Sequence, residues 1–379
     1  MAQDRAAAWD EMRSWGDVFQ DADGVWYLTS TEAVQLAARQ PEIFSSARAW
    51  DFQSSEVQQI PNAIDPPAHA RYRRSLDPML RPAIVNGLEP ELRRQVAELI
   101  DAFADRGSCN IVAELAALYP TQVFLTLYGL PLSDRDMLTR WVRVILDRPH
   151  IDTAPSEEHT EATHALFGYV RGFINAKRAA PGDDMISRLL ALDGDDAWTN
   201  EELLGATYVM IIAGLDTVRN AISLAFYRLA TDPQLRRRIA SDPEVIPPFV
   251  EELLRLDTVA PFLPRVTIQD VELLGRHIPA SSRVLLAFGA ANRDKSRYAC
   301  PHAVDLSQAD LGHFGFGAGV HRCLGSHLAR RELRLVLEEF HRRIPEYELA
   351  PGSEPRIEWP AVTLTYAEVP LVFPRSVHP

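Results

Sequence analysis

The stretch from about residue 200 to 230 constrains the fold more than any other part of this chain. It opens with Thr199, followed three positions later by Glu202. In this capping-box spacing each side chain satisfies a backbone donor near the other residue. It ends at Asp232-Pro233, where a helix stops. The helix so bounded is far longer than the usual ~11–12 residues. Its centre, YVMIIAG from Tyr208 to Gly214, is apolar on every side. A helix of that kind is stable only inside a large core. The chain can supply one: it has 379 residues, of which 46% are apolar, and needs no disulfide staples to hold a core of that size.

The surrounding pattern is mostly helical. Helical periods run from about 85 to 180, punctuated by Pro120, Pro131 and Pro149, and Pro181-Gly182-Asp183-Asp184 marks a loop. GVWYLTS at 24–30 reads as a short strand, as do the runs VTIQDVELLG and RVLLAF within 258–290. A last helix starts just after Cys323 and continues to about 342, and Pro345 and a few weak strands close the chain. No repeat, low-complexity block or Gly/Ser/Pro-rich linker divides it. The expectation is one domain over residues 1–379, mainly α with a minor β region.

The formal net charge of -13 argues against a nucleic-acid-binding domain, which needs a basic footprint. Three cysteines, Cys109, Cys300 and Cys323, cannot all pair within the chain and form no C-x-x-C motif. A reduced, cytoplasmic protein is expected. The polar start MAQDRAAAWDEM carries no signal-peptide core, and no run of about 18 consecutive apolar residues is present to span a membrane.

The most informative segment for chemistry is FGAGVHRCLG, Phe316 to Gly325. Gly315, Gly317, Gly319 and Gly325 let the backbone turn tightly and approach a flat object closely. After it, Ala329, Leu333, Val336, Leu337 and Phe340 recur at helical spacing, so Cys323 stands at the mouth of an amphipathic helix. The positive helix end favours a thiolate there. A lone Cys is more often a small buried hydrophobe, but such a residue does not need these glycines around it. Zinc is disfavoured because no second Cys or His lies at zinc-ligand spacing. In the long helix, Thr217 can turn its hydroxyl to the carbonyl of Ala213, and Gly214 weakens the helix there. Together they could open a local bulge. Asp216 puts a carboxylate in an otherwise apolar element, either on a solvated stripe or in a functional role.

Phe316, Gly319, Cys323 and Gly325 together resemble the heme-binding signature F-x-x-G-x-x-x-C-x-G of the cytochrome P450 family, and the continuation SHLARRELR is similar to its soluble bacterial branch. The resemblance extends over nearly the whole chain. It implies the cytochrome P450 fold, heme b with Cys323 as axial thiolate, and Phe316, Gly317 and Gly325 shaping the cofactor loop. It implies that Asp216 and Thr217, in the family's A/G-G-x-D/E-T block, help deliver protons during oxygen activation. His69, Arg73, Arg265 and His321 match positions that usually contact the heme propionates. Glu252 and Arg255 match the family's E-x-x-R block, a helix pair worth ~0.2–0.5 kcal/mol on spacing alone. The family's third member of that network, an Arg, is replaced here by Gln308. By the same resemblance Trp50, Phe52, Val209, Ile212, Ala213, Phe262, Leu263 and Val362 line an apolar substrate pocket.

The implied activity is hydroxylation of a terpenoid, steroid or fatty-acid-like molecule with O2. No flavin or nicotinamide fingerprint is present, so the electrons come from outside, from an iron–sulfur ferredoxin and its NAD(P)H-dependent reductase. Arg322, Arg330, Arg331 and Arg334, with Arg71, Arg73 and Arg74, read either as a solvated face or as a docking patch for that acidic donor. Two rivals stand beside this reading. One is a peroxide-driven heme-thiolate peroxygenase, against which Asp216 and Thr217 argue. The other is a non-enzymatic heme protein that senses a ligand.

Overall fold

The computed structural model describes residues 4–50, 57–146, 156–358 and 362–375. In chain order its helices are α1 (Arg5–Ser14), α2 (Thr31–Ala38), α3 (Ala68–Leu76), α4 (Pro82–Ala104), α5 (Tyr119–Tyr128), α6 (Arg135–Leu146), α7 (Glu157–Ala179), α8 (Met185–Leu190), α9 (Asn200–Thr231), α10 (Pro233–Ser241), α11 (Ile246–Leu256), α12 (Phe288–Ala291) and α13 (Ser326–Arg343). The strands are β1 (Val18–Gln20), β2 (Trp26–Leu28), β3 (Phe44–Ser45), β4 (Ser108–Asn110), β5 (Leu263–Thr267), β6 (Val271–Leu273), β7 (Arg276–Ile278), β8 (Arg283–Leu286), β9 (Glu348–Leu349) and β10 (Pro370–Val372). Helices dominate and the sheets are small, as the sequence pattern predicts.

The long helix forms as its caps dictate. The Thr199 hydroxyl accepts from the Glu202 N–H at 3.2 Å, and the Glu202 carboxylate accepts from the Thr199 N–H at 2.7 Å. At the far end Asp232 caps the next helix, accepting from Leu235 N–H at 3.0 Å. α9 is long and apolar enough to cross a membrane, but 67% of its most apolar stretch is buried inside the protein, as befits a core helix. Pro120 sits in the first turn of α5, where its missing N–H is not needed. Pro90 lies inside α4, and Pro149 falls outside the described residues.

One sheet runs β1-β2-β8-β5-β3, antiparallel except for the parallel β2/β8 pair, which sets Tyr27 opposite Leu285. A second runs β4-β10-β9, with Leu371 opposite Cys109, and β6 pairs with β7. Contacts distant in sequence tie α1 to the last third of the chain: Arg5 pairs with Asp257 at 2.6 Å and Arg13 with Asp294 at 2.9 Å.

Beneath α9, α13 packs on α4 through both charge and rings. Arg93 bridges Glu338 (2.6 Å) and Glu339 (2.8 Å), and Phe340 meets Phe226 edge-on at 4.5 Å. Such ring pairs add ~0.5–1.5 kcal/mol beyond burial. Glu252 and Arg255 on α11 are far more than an exposed helix pair. Both are 1% exposed and meet through two bonds, 2.7 and 2.8 Å. The guanidinium also donates to the carbonyls of Asn292, Cys300, Pro301 and Ala303 and lies over the Tyr298 ring. Gln308 does not join them; it donates to Asp305 at 2.9 Å, and it is the Asp305 N–H that reaches Glu252, also at 2.9 Å. Backbone groups therefore complete the network that a third charged side chain would otherwise close.

Candidate active site

Cys323 lies in a loop fixed at several points. Phe314 N–H donates to Asn292 Oδ1 at 2.7 Å, Gly317 N–H to Phe314 O at 2.9 Å, and Cys323 N–H to Phe316 O at 2.8 Å. Gly317 and Gly319 both have φ of +67°, which L side chains rarely adopt. A Cβ on Gly319 would also collide with the Ala38 carbonyl at the end of α2. The Arg330 guanidinium sits 4.4 Å over the Phe316 ring and is held by both oxygens of Glu251 at 2.6 and 2.7 Å.

Cys323 stands two residues ahead of the α13 N-cap, Gly325, and opens onto an internal cavity. Burial pushes its thiol up, against opposing help from the Gly325 N–H and from Arg73, Arg322 and Arg330. The Gly325 N–H at the start of α13 favours the thiolate, as expected, and desolvation opposes it.

The four residues expected at the propionates converge. The His69 and His321 rings meet at a tilt of 53° with centres 4.4 Å apart, and the Nε2 of each is buried without a partner among the described residues. Arg73 donates to the Arg322 carbonyl at 2.8 Å and to Asp77 at 2.7 Å. Arg265 is 6% exposed, its guanidinium pushed down to about 10 by burial. Burial, then Arg265, His69 and Arg73, press the His321 imidazole down to about 3. A cluster that disfavours positive charge this strongly is one that bound anionic groups would relieve.

Above this floor, α9 presents Thr217 and Asp216. The Thr217 hydroxyl donates to Ala213 O at 2.7 Å, as the spacing predicts. The expected bulge does not form: α9 is α-helical throughout, so the back-bond is accommodated without breaking the ladder. Asp216 is not on a solvated stripe. Its side chain accepts from Asn220 (2.8 Å), Thr363 (3.0 Å) and Arg219 (3.4 Å), and burial pushes its carboxyl up.

The cavity between floor and roof measures about 2430 Å³. Val209, Ile212, Ala213, Leu263 and Val362 line it as expected, together with Phe316, Gly317, His321, Cys323 and Gly325. Phe262 does not line it; its ring packs 5.4 Å from Trp9 of α1, because the residue before β5 turns to the opposite side of the sheet. The Trp50 side chain and Phe52 lie outside the described residues. The sequence reading missed Glu332, a cavity-lining carboxyl on α13 that is 3% exposed, carries an unpartnered oxygen and is pushed well up by burial. It missed Thr363 as well. Neither residue belongs to a motif or spacing that marks it in the sequence.

The basic face of α13 is mostly neutralised. Arg330 pairs with Glu251, Arg331 with Glu89 and Arg334 with Glu338, while Arg71, Arg73 and Arg74 pair with Glu202, Asp77 and Asp196. Counting charge along one helix overlooks carboxylates supplied by its neighbours. Among the described residues Arg322 is exposed and has no acidic partner.

A heme fits this set. The cavity exceeds the ~300–1,000 Å³ of an ordinary ligand pocket, leaving room for a flat cofactor beside a substrate. A cysteine opens onto it from the floor, and two orphaned imidazole nitrogens with neighbouring guanidinium groups stand where acidic substituents need partners.

The cytochrome P450 family model matches residues 135–358. The chain is 35% identical over 301 residues to the mycinamicin IV hydroxylase/epoxidase of Micromonospora griseorubida, covering 78% of this chain and 75% of that protein. It is 32% identical to the vitamin D(3) 25-hydroxylase of Pseudonocardia autotrophica, covering 87% and 83%. The solved structure of a mutant of P450 EryK in complex with erythromycin B superposes with a TM-score of 0.89 at 30% identity, covering 99% of this chain and 98% of that one. On sequence, fold and site together, this chain belongs to the cytochrome P450 family of heme-thiolate enzymes.

Proposed function

We propose that this cytochrome P450 hydroxylates a large apolar small molecule, of terpenoid, steroid or fatty-acid-like character, drawing electrons from an external iron–sulfur ferredoxin and its NAD(P)H-dependent reductase. The observation that carries this reading is the juxtaposition, across one largely apolar cavity of about 2430 Å³, of Cys323 on the floor with Asp216 and Thr217 on the roof. Heme bound through a thiolate supplies the oxygen chemistry, the thiolate favouring O–O cleavage. The protein's part is to bind, orient and deliver protons. His69, Arg73, Arg265 and His321 would hold the propionates. Val209, Ile212, Ala213, Leu263 and Val362 would seat the substrate by burial. Thr217 and Asp216 would relay protons to the reacting side.

The relatives support a bulky substrate, since their names specify mycinamicin IV and vitamin D(3). The donor would approach the outer side of the Cys323 loop, where Arg322 stands free to meet an acidic partner. One domain spanning 1–379 is supported by a cavity lined from Gln59 to Ala367 and by ties such as Arg5–Asp257. The cytoplasm, where the free thiols Cys109, Cys300 and Cys323 stay reduced, is the compartment this reading assigns.

The test is spectroscopic. The reduced, carbon-monoxide-bound protein should show the strongly red-shifted Soret band of thiolate ligation. Cys323→Ser should lose that band, while Cys109→Ser and Cys300→Ser keep it; the reverse pattern would overturn the assignment. A screen of apolar compounds for a heme spin-state shift then narrows the substrate.

A further inference from the structure

We propose that Thr363 is a positioning residue for the proton relay, fastening the substrate-facing C-terminal segment directly to the Asp216 carboxylate. The proposal rests on the monooxygenase reading, and it concerns a contact 147 residues apart in sequence.

The hydrogen-bond accounting around Asp216 leaves little choice. Asn220 is 0% exposed. Its amide nitrogen donates both its protons, one to Asp216 Oδ2 at 2.8 Å and one to the Thr363 hydroxyl oxygen at 3.1 Å. Having accepted there, the Thr363 hydroxyl spends its own proton on Asp216 Oδ2 at 3.0 Å. The Asn220 side-chain oxygen Oδ1 in turn accepts from the Thr365 hydroxyl at 2.7 Å. Two threonines from one segment thus set the orientation of the asparagine and close a three-membered ring of bonds on one carboxylate oxygen. Among the described residues the other oxygen keeps only Arg219, at 3.4 Å.

The two oxygens of Asp216 therefore differ. Oδ2 is anchored by Asn220 and Thr363, and among the described residues Oδ1 has only the longer Arg219 contact. A buried carboxyl with one fixed and one free oxygen is oriented for directional transfer, because the geometry of general acid–base catalysis is set before its pKa matters. The anchor is also placed to sense the pocket. Val362, Thr363 and Thr365 line the cavity, so the backbone that meets a substrate is the backbone that holds the acid. Displacing Val362 would pull on the ring at Thr363.

The experiment uses the full-length, heme-loaded protein with Thr363→Val, which keeps shape and removes the donor, and Thr363→Ser, which restores it. Infrared difference spectra, each protein minus its own Asp216→Asn counterpart at one pH, isolate the Asp216 carboxyl band. The band should shift in Thr363→Val and return in Thr363→Ser. With NADPH, a plant-type [2Fe–2S] ferredoxin and its reductase, oxygen uptake by Thr363→Val should fall about tenfold in kcat, part of the ~10²–10⁴ that positioned proton transfer supplies. The KM for ferredoxin should stay within about twofold, and Thr363→Ser should recover the rate. An unmoved band in Thr363→Val, or equal impairment in both variants, would overturn the proposal. Failure of the monooxygenase reading looks different: the unaltered protein would then lack the red-shifted carbon-monoxide band, while the infrared comparison would still read the acid.

Discussion

The roof and floor of the cavity are built from different materials. On the roof side, the buried residues of α6 are Leu138, Val142 and Ile145, and those of α7 are Ala162, Leu166, Phe167, Val170 and Ile174. All are apolar. On the floor side, α11 buries Glu252 and Arg255 among its aliphatics, and α13 buries Ser326, Glu332, Glu339 and His341. Apolar contact is non-directional, so two greasy helices can shift against each other at little cost. A buried bidentate ion pair that also satisfies backbone carbonyls has one good arrangement and many bad ones. The difference teaches where this protein invests geometric precision: beneath the loop that carries Cys323 and at the Asp216 ring on α9, and much less where α6 and α7 cover the cavity.

The largest effect should come from breaking the floor. Arg255→Met leaves the Glu252 charge buried and four carbonyls without their donor, and should destabilise by ~3–5 kcal/mol in urea unfolding. Leu166→Ala, its counterpart on the roof, should cost ~2–4 kcal/mol, all of it cavity and lost burial. The contrast sharpens in native-state hydrogen exchange. Arg255→Met should raise exchange along α13 as well as α11, whereas Leu166→Ala should stay confined to α6 and α7. If both variants loosen only their own surroundings, the floor is no more cooperative than the roof.

Acid should act mainly through the floor, with a somewhat smaller effect. His341 is buried, donating from Nδ1 to the Leu337 carbonyl and accepting at Nε2 from the Tyr347 hydroxyl, so its neutral form is the one that fits. Burial pushes it from 6.5 down to about 4. The sign follows from linkage. Below 6.5 the unfolded chain takes up a proton that the folded one refuses, so the stability present above 6.5 is lost as pH falls toward 4. A shift of this size corresponds to on the order of 3 kcal/mol. Urea midpoints measured between pH 7 and pH 4.5 should fall along this course, and fall less steeply in His341→Gln.

The smallest effect belongs to the outer surface. Arg322→Glu should leave stability within about 1 kcal/mol, as expected for an exposed charge. It should slow reduction by an acidic ferredoxin at low salt, and the difference should vanish as ionic strength shortens the reach of charge below ~10 Å. Arg330→Glu is a poorer probe, because it breaks the Glu251 pair and would unsettle the floor at the same time.

The same division explains what could be read from the sequence. The capped, apolar α9, the glycine-rich Cys323 loop and the helix after it are local signals, and each appears where caps, glycines and periodicity put it. The Thr217 back-bond is local too. Thr363 was invisible because a threonine reaching an aspartate 147 positions away leaves no period and no spacing. Phe262 was misassigned for a related reason: which side of a strand's edge an aromatic takes depends on what is waiting there, and Trp9 comes from the other end of the chain. The arginines of α13 misled because their partners Glu89, Glu251 and Glu338 lie mostly on other helices.

The close approach of Gly319 to the Ala38 carbonyl has a consequence for how the protein is assembled. The loop that presents Cys323 is the work of the chain's last quarter, yet one of its tight turns rests on the end of α2, made in the first tenth. Heme capture thereby becomes a joint act of two segments synthesised far apart in time. A ribosome-bound chain lacking its C-terminal quarter has the seat without the ligand. A chain trimmed through α2, Ala38 included, has the ligand without the seat, and its heme uptake should report on whether that segment has docked.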